Sequence, residues 1–537
     1  MNAESTHMHE ENYLKYQGKF KGLLGWIFST DHKRIGLLYL YSIAAFFILG
    51  AILGLMMKLE LIAPGKTIME AQTYNGIFTL HGITMIFLIV IPGIPAVFGN
   101  FLLPIMIGAK DVAFPKLNLA SWWVYIFGAI VAVSSQFMGD GPPDTGWTFY
   151  APYSFKTNTN MLPAVLGAFI LGFSSVLTGL NFIVTIHRMR APGMKWLKMP
   201  LFPWALYATA WVQLLATPIV AITLLLVVLE RTLQIGFFDP ALGGDPVLYQ
   251  HLFWIYSHPA VYIMILPAMG VISEILPTFS QKPIFGYKAV VFSTMLIAFI
   301  GYFVWGHHMF TSGLSEVSLV AFSFLTFLVA IPSAIKVFNW VATLYQGSIV
   351  LKTPLIWAAS FLVVFMIGGL TGLVLGSLAT NVHVHDTAFV VAHFHYIIFG
   401  GVGFAFFAAI HYWFPKIFGR MYDAKTANTG WGIFFIGFNT LYFPMFYLGI
   451  KGMPRRYFDY LPEFHGANIL STFGAIILII GLTIIISNLI KSARNGEPAE
   501  ANPWNGVTLE WKVSSPPSLE NFEEIPTITK KPYDFTS

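Results

Sequence analysis

The chain has 537 residues, 56% of them hydrophobic and 10% charged, with a formal net charge of +5 and no cysteine. Soluble domains carry about a quarter charged residues, so this balance excludes a string of soluble domains and points to a membrane protein. Without thiols there are neither disulfides nor thiolate metal sites, and any metal must be held by histidine, methionine or carboxylate. The positive charge is no nucleic-acid signature, because nearly all of it lies in short loops between apolar runs, and no nucleic-acid partner is expected.

In chain order, residues 1–30 are polar and lack an apolar core, so they read as a cytoplasmic segment rather than a cleavable signal peptide. Twelve apolar runs follow, each long enough to cross ~30 Å of hydrocarbon. They cover 36–57, 76–105, 117–138, 162–186, 203–229, 249–276, 286–310, 316–338, 353–376, 386–413, 430–450 and 468–490. The expected fold is an all-α membrane bundle of twelve transmembrane helices over 31–490, followed by a polar tail, 491–537, read as a cytoplasmic surface extension, ordered or disordered, without chemistry. Lysine and arginine crowd one set of loops, including Lys110, Lys116, Arg188, Arg190, Lys282, Lys288, Lys416 and Arg420. The other set holds only Lys58, Lys66, Lys156, Arg231, Lys451, Arg455 and Arg456. The positive-inside bias therefore predicts both termini in the cytoplasm.

Six of the fifteen histidines fall within these runs: His81, His258, His307, His308, His393 and His395. The predicted orientation puts all six in the outer half of the membrane, on four different helices. One intramembrane histidine is most simply a hydrogen bond to a neighbouring helix. Six at one depth are costly enough to mark function, and imidazole is a favoured ligand of copper and haem iron. His393 and His395 are two residues apart and, at ~100° per residue, point to nearly opposite faces of their helix. Two metals flanking that helix can use them; one cannot easily take both. His307 and His308 are adjacent, so sharing one metal requires a local helix distortion. His258 precedes Pro259, which permits irregularity, and Tyr262 lies one turn on, along the same face.

The segments TLHGITMIFL, HPAVY, WGHHMF, HDTAFVVAHFHY and GMPRR resemble, in order, subunit I of the A-type haem–copper oxygen reductases. The resemblance runs from about Thr30 to the end of the twelfth span. It implies haem and copper sites in the outer half of the bundle. His81 and His395 would be axial ligands of a low-spin haem, and His393 the ligand of a high-spin haem. His258, His307 and His308 would hold copper opposite that haem, with a position open for oxygen. Tyr262 would be linked covalently to His258 and supply an electron and a proton for O–O cleavage. His385 and Asp386 match a magnesium site shared with another subunit. Arg455, Arg456 and Trp147, the last in DTGWTFY, match contacts to haem propionates. The implied cofactors are two haems of the A type, one copper ion and magnesium.

The same resemblance implies two proton routes. A K-type route would run from Lys336 past Ser333 and Thr326 to Tyr262; the plain alternative for Lys336 is a snorkelling surface lysine. A D-type route would start at Asp111 and pass Asn118, Asn100, Asn181 and Ser174. Its usual terminal glutamate is absent, because Ala260 stands at that position. Tyr256 and Ser257 form the YSHP motif of one A-type branch and would take over by relaying protons through hydrogen bonds. Lys58 stands where relatives often place an arginine beside the low-spin haem.

The reading is therefore a catalytic subunit of a respiratory terminal oxidase in a bacterial inner membrane. It would reduce oxygen to water, pump protons, work with subunits II and III and take electrons from cytochrome c or a cytochrome c domain. A quinol oxidase with the same core is the alternative. A nitric oxide reductase is disfavoured by Tyr262 and both route patterns, and a twelve-helix secondary transporter or a scaffold subunit by the intramembrane histidines.

Overall fold

The computed structural model describes residues 12–535 apart from 19 and 140. Among them the only β pairing is three isolated bridges; the rest is helix and connecting loop. Eleven helices are long and apolar enough to cross a membrane: α1 (His32–Glu60), α2 (Ala71–Ile107), α3 (Pro115–Phe137), α4 (Met161–Arg188), α5 (Leu201–Leu233), α6 (Pro246–Ser280), then α8 (Glu316–Leu344), α9 (Thr353–Gly376), α10 (Ala388–Phe418), α11 (Ala424–Ile450) and α12 (Pro462–Asn495). Between α6 and α8 lies a shorter apolar helix, α7 (Tyr287–Phe303), where the sequence predicts a span to residue 310. It ends early because the backbone tightens into 3₁₀ turns at Gly301–Phe303 and Trp305–Met309.

Local chemistry sets the helix starts. Asp31 caps α1 by accepting from the amides of Lys33 and Arg34, and Asp245 caps α6 with Pro246 in its first turn. Ser315 and Asp423 do the same for α8 and α11. Helices α11 and α12 run close because Gly437 faces the backbone of Leu478 and Gly474 that of Leu441, where a Cβ would collide. Small residues at such crossings are how apolar helices gain contact in lipid.

Burial identifies the centre of the bundle. The most apolar windows of α2, α6 and α10 are 83%, 89% and 72% buried, against 6% for α8 and 17% for α1. The three innermost helices are thus the ones that carry His81, His258, and His393 with His395. Two of them are irregular: α2 widens to π-helix at Thr84–Val90 and Pro95–Gly99, and α10 at His395–Gly403. In contrast, α6 continues through Pro259 without a break.

The tail is ordered. It folds back under the bundle and buries Leu509, Glu510, Trp511 and Tyr533. Asn521 bonds to His32 and to the carbonyls of Ala109 and Lys110, and Tyr533 donates to Glu274 Oε1 at 2.7 Å. Lys416 donates to the carbonyls of Ala501, Val513 and Ser514. Hydrophobic anchors every few residues, spaced irregularly, hold this segment, so neither helical nor strand periodicity marks it in sequence.

Candidate metal centre and its flanking histidines

His258 on α6 meets His307 and His308 from the 3₁₀ turn after α7, and ligand nitrogens of all three lie within 4.8 Å of one another. The turn supplies the distortion that two adjacent histidines need to face one point. His258 Nδ1 is 3.1 Å from His308 Nε2. Two nitrogens bound at ~2.0 Å to one ion, ~100° apart, are separated by about that distance. His307 is oriented from outside the cluster. Thr326 Oγ1 donates its one proton to the Phe322 carbonyl, so it accepts from His307 Nδ1 at 2.9 Å and leaves the Nε2 lone pair free. His308 stacks on Trp254, with centroids 3.7 Å apart and 8° between planes. Tyr262 packs edge-on to His258 at 4.8 Å between centroids, and His258 Nε2 has no hydrogen-bond partner among the described residues.

The other three imidazoles repeat one pattern. His81 Nδ1 faces the Gly50 carbonyl at 2.9 Å, and His395 Nδ1 the Val391 carbonyl at 2.8 Å. A carbonyl only accepts, so each ring carries its proton on Nδ1. His393 Nδ1 meets Thr371 Oγ1 at 3.1 Å, and that hydroxyl already donates to backbone on α9. In each ring Nε2 is left as the free ligand atom. Gly54 and Gly372 stand where a Cβ would press on the Cε1 atoms of His81 and His393 at 3.2 and 3.1 Å. The two histidines of α10 part company as the helix angle predicts: His393 faces α9, while His395 stacks on Tyr442 of α11 at 4.3 Å. His393 is close enough to His307 to interact electrostatically, and His395 to both His81 and Lys58. This donor set suits one metal ion on the three clustered imidazoles, with three further imidazoles whose Nε2 atoms are free to bind a metal.

Loops at the same end of the bundle add charge. Arg455 Nε is 3.5 Å from Asp386 Oδ1, and His385 Nε2 is 3.6 Å from Asp386 Oδ2. Burial pulls His385 below its usual range while the Asp386 carboxylate pushes it back up. Arg456 makes no hydrogen bond or ion pair among the described residues. Burial, then the neighbouring Arg455, pull it down to about 9. A guanidinium with no direct ion-pair partner in a half-buried site suits an anionic ligand group. Its Nη1 lies 3.2 Å from where Gly146 would place a Cβ, and Trp147 packs against Gly82, next to His81.

The predicted route residues are only partly connected. Burial pushes Asp111, in the α2–α3 loop, up to about 7. Asn118 leaves both amide atoms without partners among the described residues, as does Asn100 its Oδ1. Asn181 is bound to the Phe114 backbone. Ser174 joins two residues that sequence reasoning missed: the Tyr39 hydroxyl lies 3.1 Å from Ser121 Oγ and 3.2 Å from Ser174 Oγ. Ser257 Oγ is buried without a partner among the described residues, and no direct bond ties it or Tyr256 to that group. Lys336 does not snorkel. It is 1% exposed and donates to Thr294 Oγ1 on α7 at 3.0 Å, a partner that sequence spacing did not suggest. Thr326 is committed to His307, while Ser333 bonds only its own helix backbone.

A bundle in which α6 and the turn after α7 bring together three convergent imidazoles, with three more of free Nε2 on α2 and α10, has the donor set of a membrane metalloprotein. Residues 34–477 match the family described as Cytochrome C and Quinol oxidase polypeptide I, and the chain belongs to that family. It is 44% identical over 510 residues to cytochrome c oxidase subunit 1 of Thermostichus vulcanus, covering 95% of this chain and 92% of that one. The same-named protein of Synechocystis sp. is 45% identical over 511 residues, with coverage of 95% and 92%. That of Bacillus subtilis is 42% identical over 514 residues, covering 95% and 82%. A solved haem–copper terminal oxidase dimer shares the fold at a TM-score of 0.75 and 24% identity, over 88% of this chain and 86% of that one.

Proposed function

We propose that this chain is the catalytic subunit of a proton-pumping cytochrome c oxidase, reducing O2 with four electrons and four protons to two waters. The observation that carries the reading is the three-imidazole cluster of His258, His307 and His308 with His393 across from it. His81 and His395 would hold the low-spin haem, His393 the high-spin haem, and the cluster copper. These groups supply electron transfer and oxygen binding when bound. Around them the chain fixes imidazole tautomers through Gly50, Val391, Thr371 and Thr326. Arg455, Arg456 and Trp147 would neutralise and seat the propionates. Tyr262, linked to His258, would hold a proton at its hydroxyl beside the reaction site.

Helix α7 with the turn behind it would complete a twelve-helix bundle, with both termini in the cytoplasm of a bacterial inner membrane. His385 and Asp386 are two ligands at most, so a magnesium ion there would need others from subunit II, in a complex that also holds subunit III. Protons would enter at Lys336 and Thr294 for one route and at Asp111 for the other, which passes Asn118, Asn100, Asn181 and Ser174 toward Tyr256 and Ser257 of the YSHP branch. Quinol as donor remains the second reading, because the electron donor would dock on the partner subunit.

The test is metal analysis and a reduced-minus-oxidised spectrum of the purified complex. Two haems, with A-type bands, and one copper in this subunit are expected, and His307→Ala should lose the copper alone. Haem without copper in the unaltered protein would refute the assignment. Tyr256→Phe with full turnover and full pumping would remove that residue from the route.

A further inference from the structure

Between α1, α2, α3 and α4, with Gln213 entering from α5, a cavity of ≈ 30 Å³ is lined by Tyr39, Ser174, Ser175, Thr178 and Gln213 among apolar side chains. That is room for about one or two waters. Most of its hydroxyls are already bonded: Ser174 to the Ser121 carbonyl, Thr178 to the Ser174 carbonyl, and Tyr39 to Ser121 and Ser174. Two polar groups are not. Ser175 Oγ and Gln213 Oε1 are buried without a hydrogen-bond partner among the described residues, and Gln213 is 3% exposed. Buried polar groups are almost always satisfied, by water where protein offers nothing.

Gln213 also stands on a polar line. Thr209 and Thr217, one helical turn to either side, carry orphaned hydroxyls of their own. The line faces α4 through two glycines: a Cβ on Gly179 would sit 3.2 Å from Gln213 Cβ, and one on Gly172 3.2 Å from Thr217 Cγ2. Absent side chains at those glycines let the amide reach the cavity.

We propose that Gln213 is a positioning residue of the proton route, its amide ordering water in this cavity beside the Tyr39–Ser121–Ser174 group. This rests on the Asp111 route of the proposed function. The water takes a proton from one neighbour and passes another on. Gln213 stays neutral, accepting at Oε1 and donating at Nε2, so it orders the water without storing charge.

The holocomplex, reconstituted in vesicles and supplied with reduced cytochrome c, is measured for turnover and protons released per electron. Gln213→Leu should cut turnover about tenfold or abolish the pumped proton, with haem content and spectrum unchanged. Gln213→Glu, which keeps the shape and the acceptor, should restore pumping and add a new step to the pH profile. Wild-type turnover and pumping in Gln213→Leu would overturn the proposal. Should that variant fail to assemble, Ser175→Ala decides: a loss of threefold or more supports the water site, and no change overturns it. Asp111→Asn separates the two levels. If it stops pumping while Gln213→Leu does not, the route stands and Gln213 lies outside it. If Asp111→Asn pumps normally, the route itself is wrong.

Discussion

Thr326→Val tests whether the three-imidazole cluster is a metal site, because valine keeps the shape and removes only the hydroxyl that orients His307. Thr326 Oγ1 accepts from His307 Nδ1 at 2.9 Å and donates to the Phe322 carbonyl at 2.6 Å. Without it, the Nδ1 proton is buried with no acceptor, at a cost of ~1–3 kcal/mol, and the ring loses its preference for the tautomer that frees Nε2. Losing a hydrogen bond that orients a metal-bound imidazole weakens metal affinity by about 10–100-fold, which corresponds to ~1.4–2.7 kcal/mol. The assay is copper retained by the purified complex across a series of chelator concentrations, with haem absorbance as the internal standard. The half-loss concentration should fall by one to two decades in Thr326→Val and recover in Thr326→Ser. Retention matching the unaltered protein would refute the reasoning, since His307 would then need no hydroxyl to present its nitrogen.

Burial raises the Asp111 carboxyl to about 7, so wild-type turnover should fall as pH rises through that range, and Asp111→Asn should abolish pumping and remove that step from the profile. The linked stability effect has a definite sign. The folded site keeps a proton that the unfolded chain releases near ~3.9, so Asp111 weakens the fold increasingly from there up to about pH 7, and the amide variant does not. Lys336→Met should slow turnover by about 100-fold, the low end for loss of a proton-transfer group, without lowering thermal stability; unimpaired oxygen consumption would count against the route. Burial raises the Glu510 carboxyl, so its ionisation destabilises the tail as pH climbs above the usual carboxylate range. Glu510→Gln should therefore match the wild type in acid and unfold at a higher temperature at pH 8, as followed by haem absorbance.

Most of the site was legible because its residue types are expensive where they stand. An imidazole in an apolar run draws attention whatever surrounds it, and the two-residue spacing of His393 and His395 already separated their directions. The partners were not legible. Thr294, Thr371, Tyr39 and Gln213 are ordinary in an apolar helix, and only the packing of α7, α9, α1 and α5 brings them to Lys336, His393, Ser121 and the cavity. The packing of the tail was not legible for the opposite reason. Its composition is that of a solvated segment, while its few anchors, Leu509, Trp511 and Tyr533, are buried individually.

Helix irregularity falls where the chemistry is proposed. The stretches Thr84–Val90, His395–Gly403 and Gly301–Met309 adjoin or contain five of the six intramembrane histidines, while His258 sits in a regular helix beside a proline. Non-helical backbone is tolerated at membrane depth only inside protein, so such turns belong to the interior of the bundle. The arrangement explains how neighbours in sequence can serve different or shared partners. The two-residue spacing turns the His395 ring to Tyr442 while His393 keeps to α9, and a 3₁₀ turn swings His307 and His308 together toward His258. If that geometry carries the function, regularising the turn should separate the two adjacent imidazoles and lose copper while both haems remain.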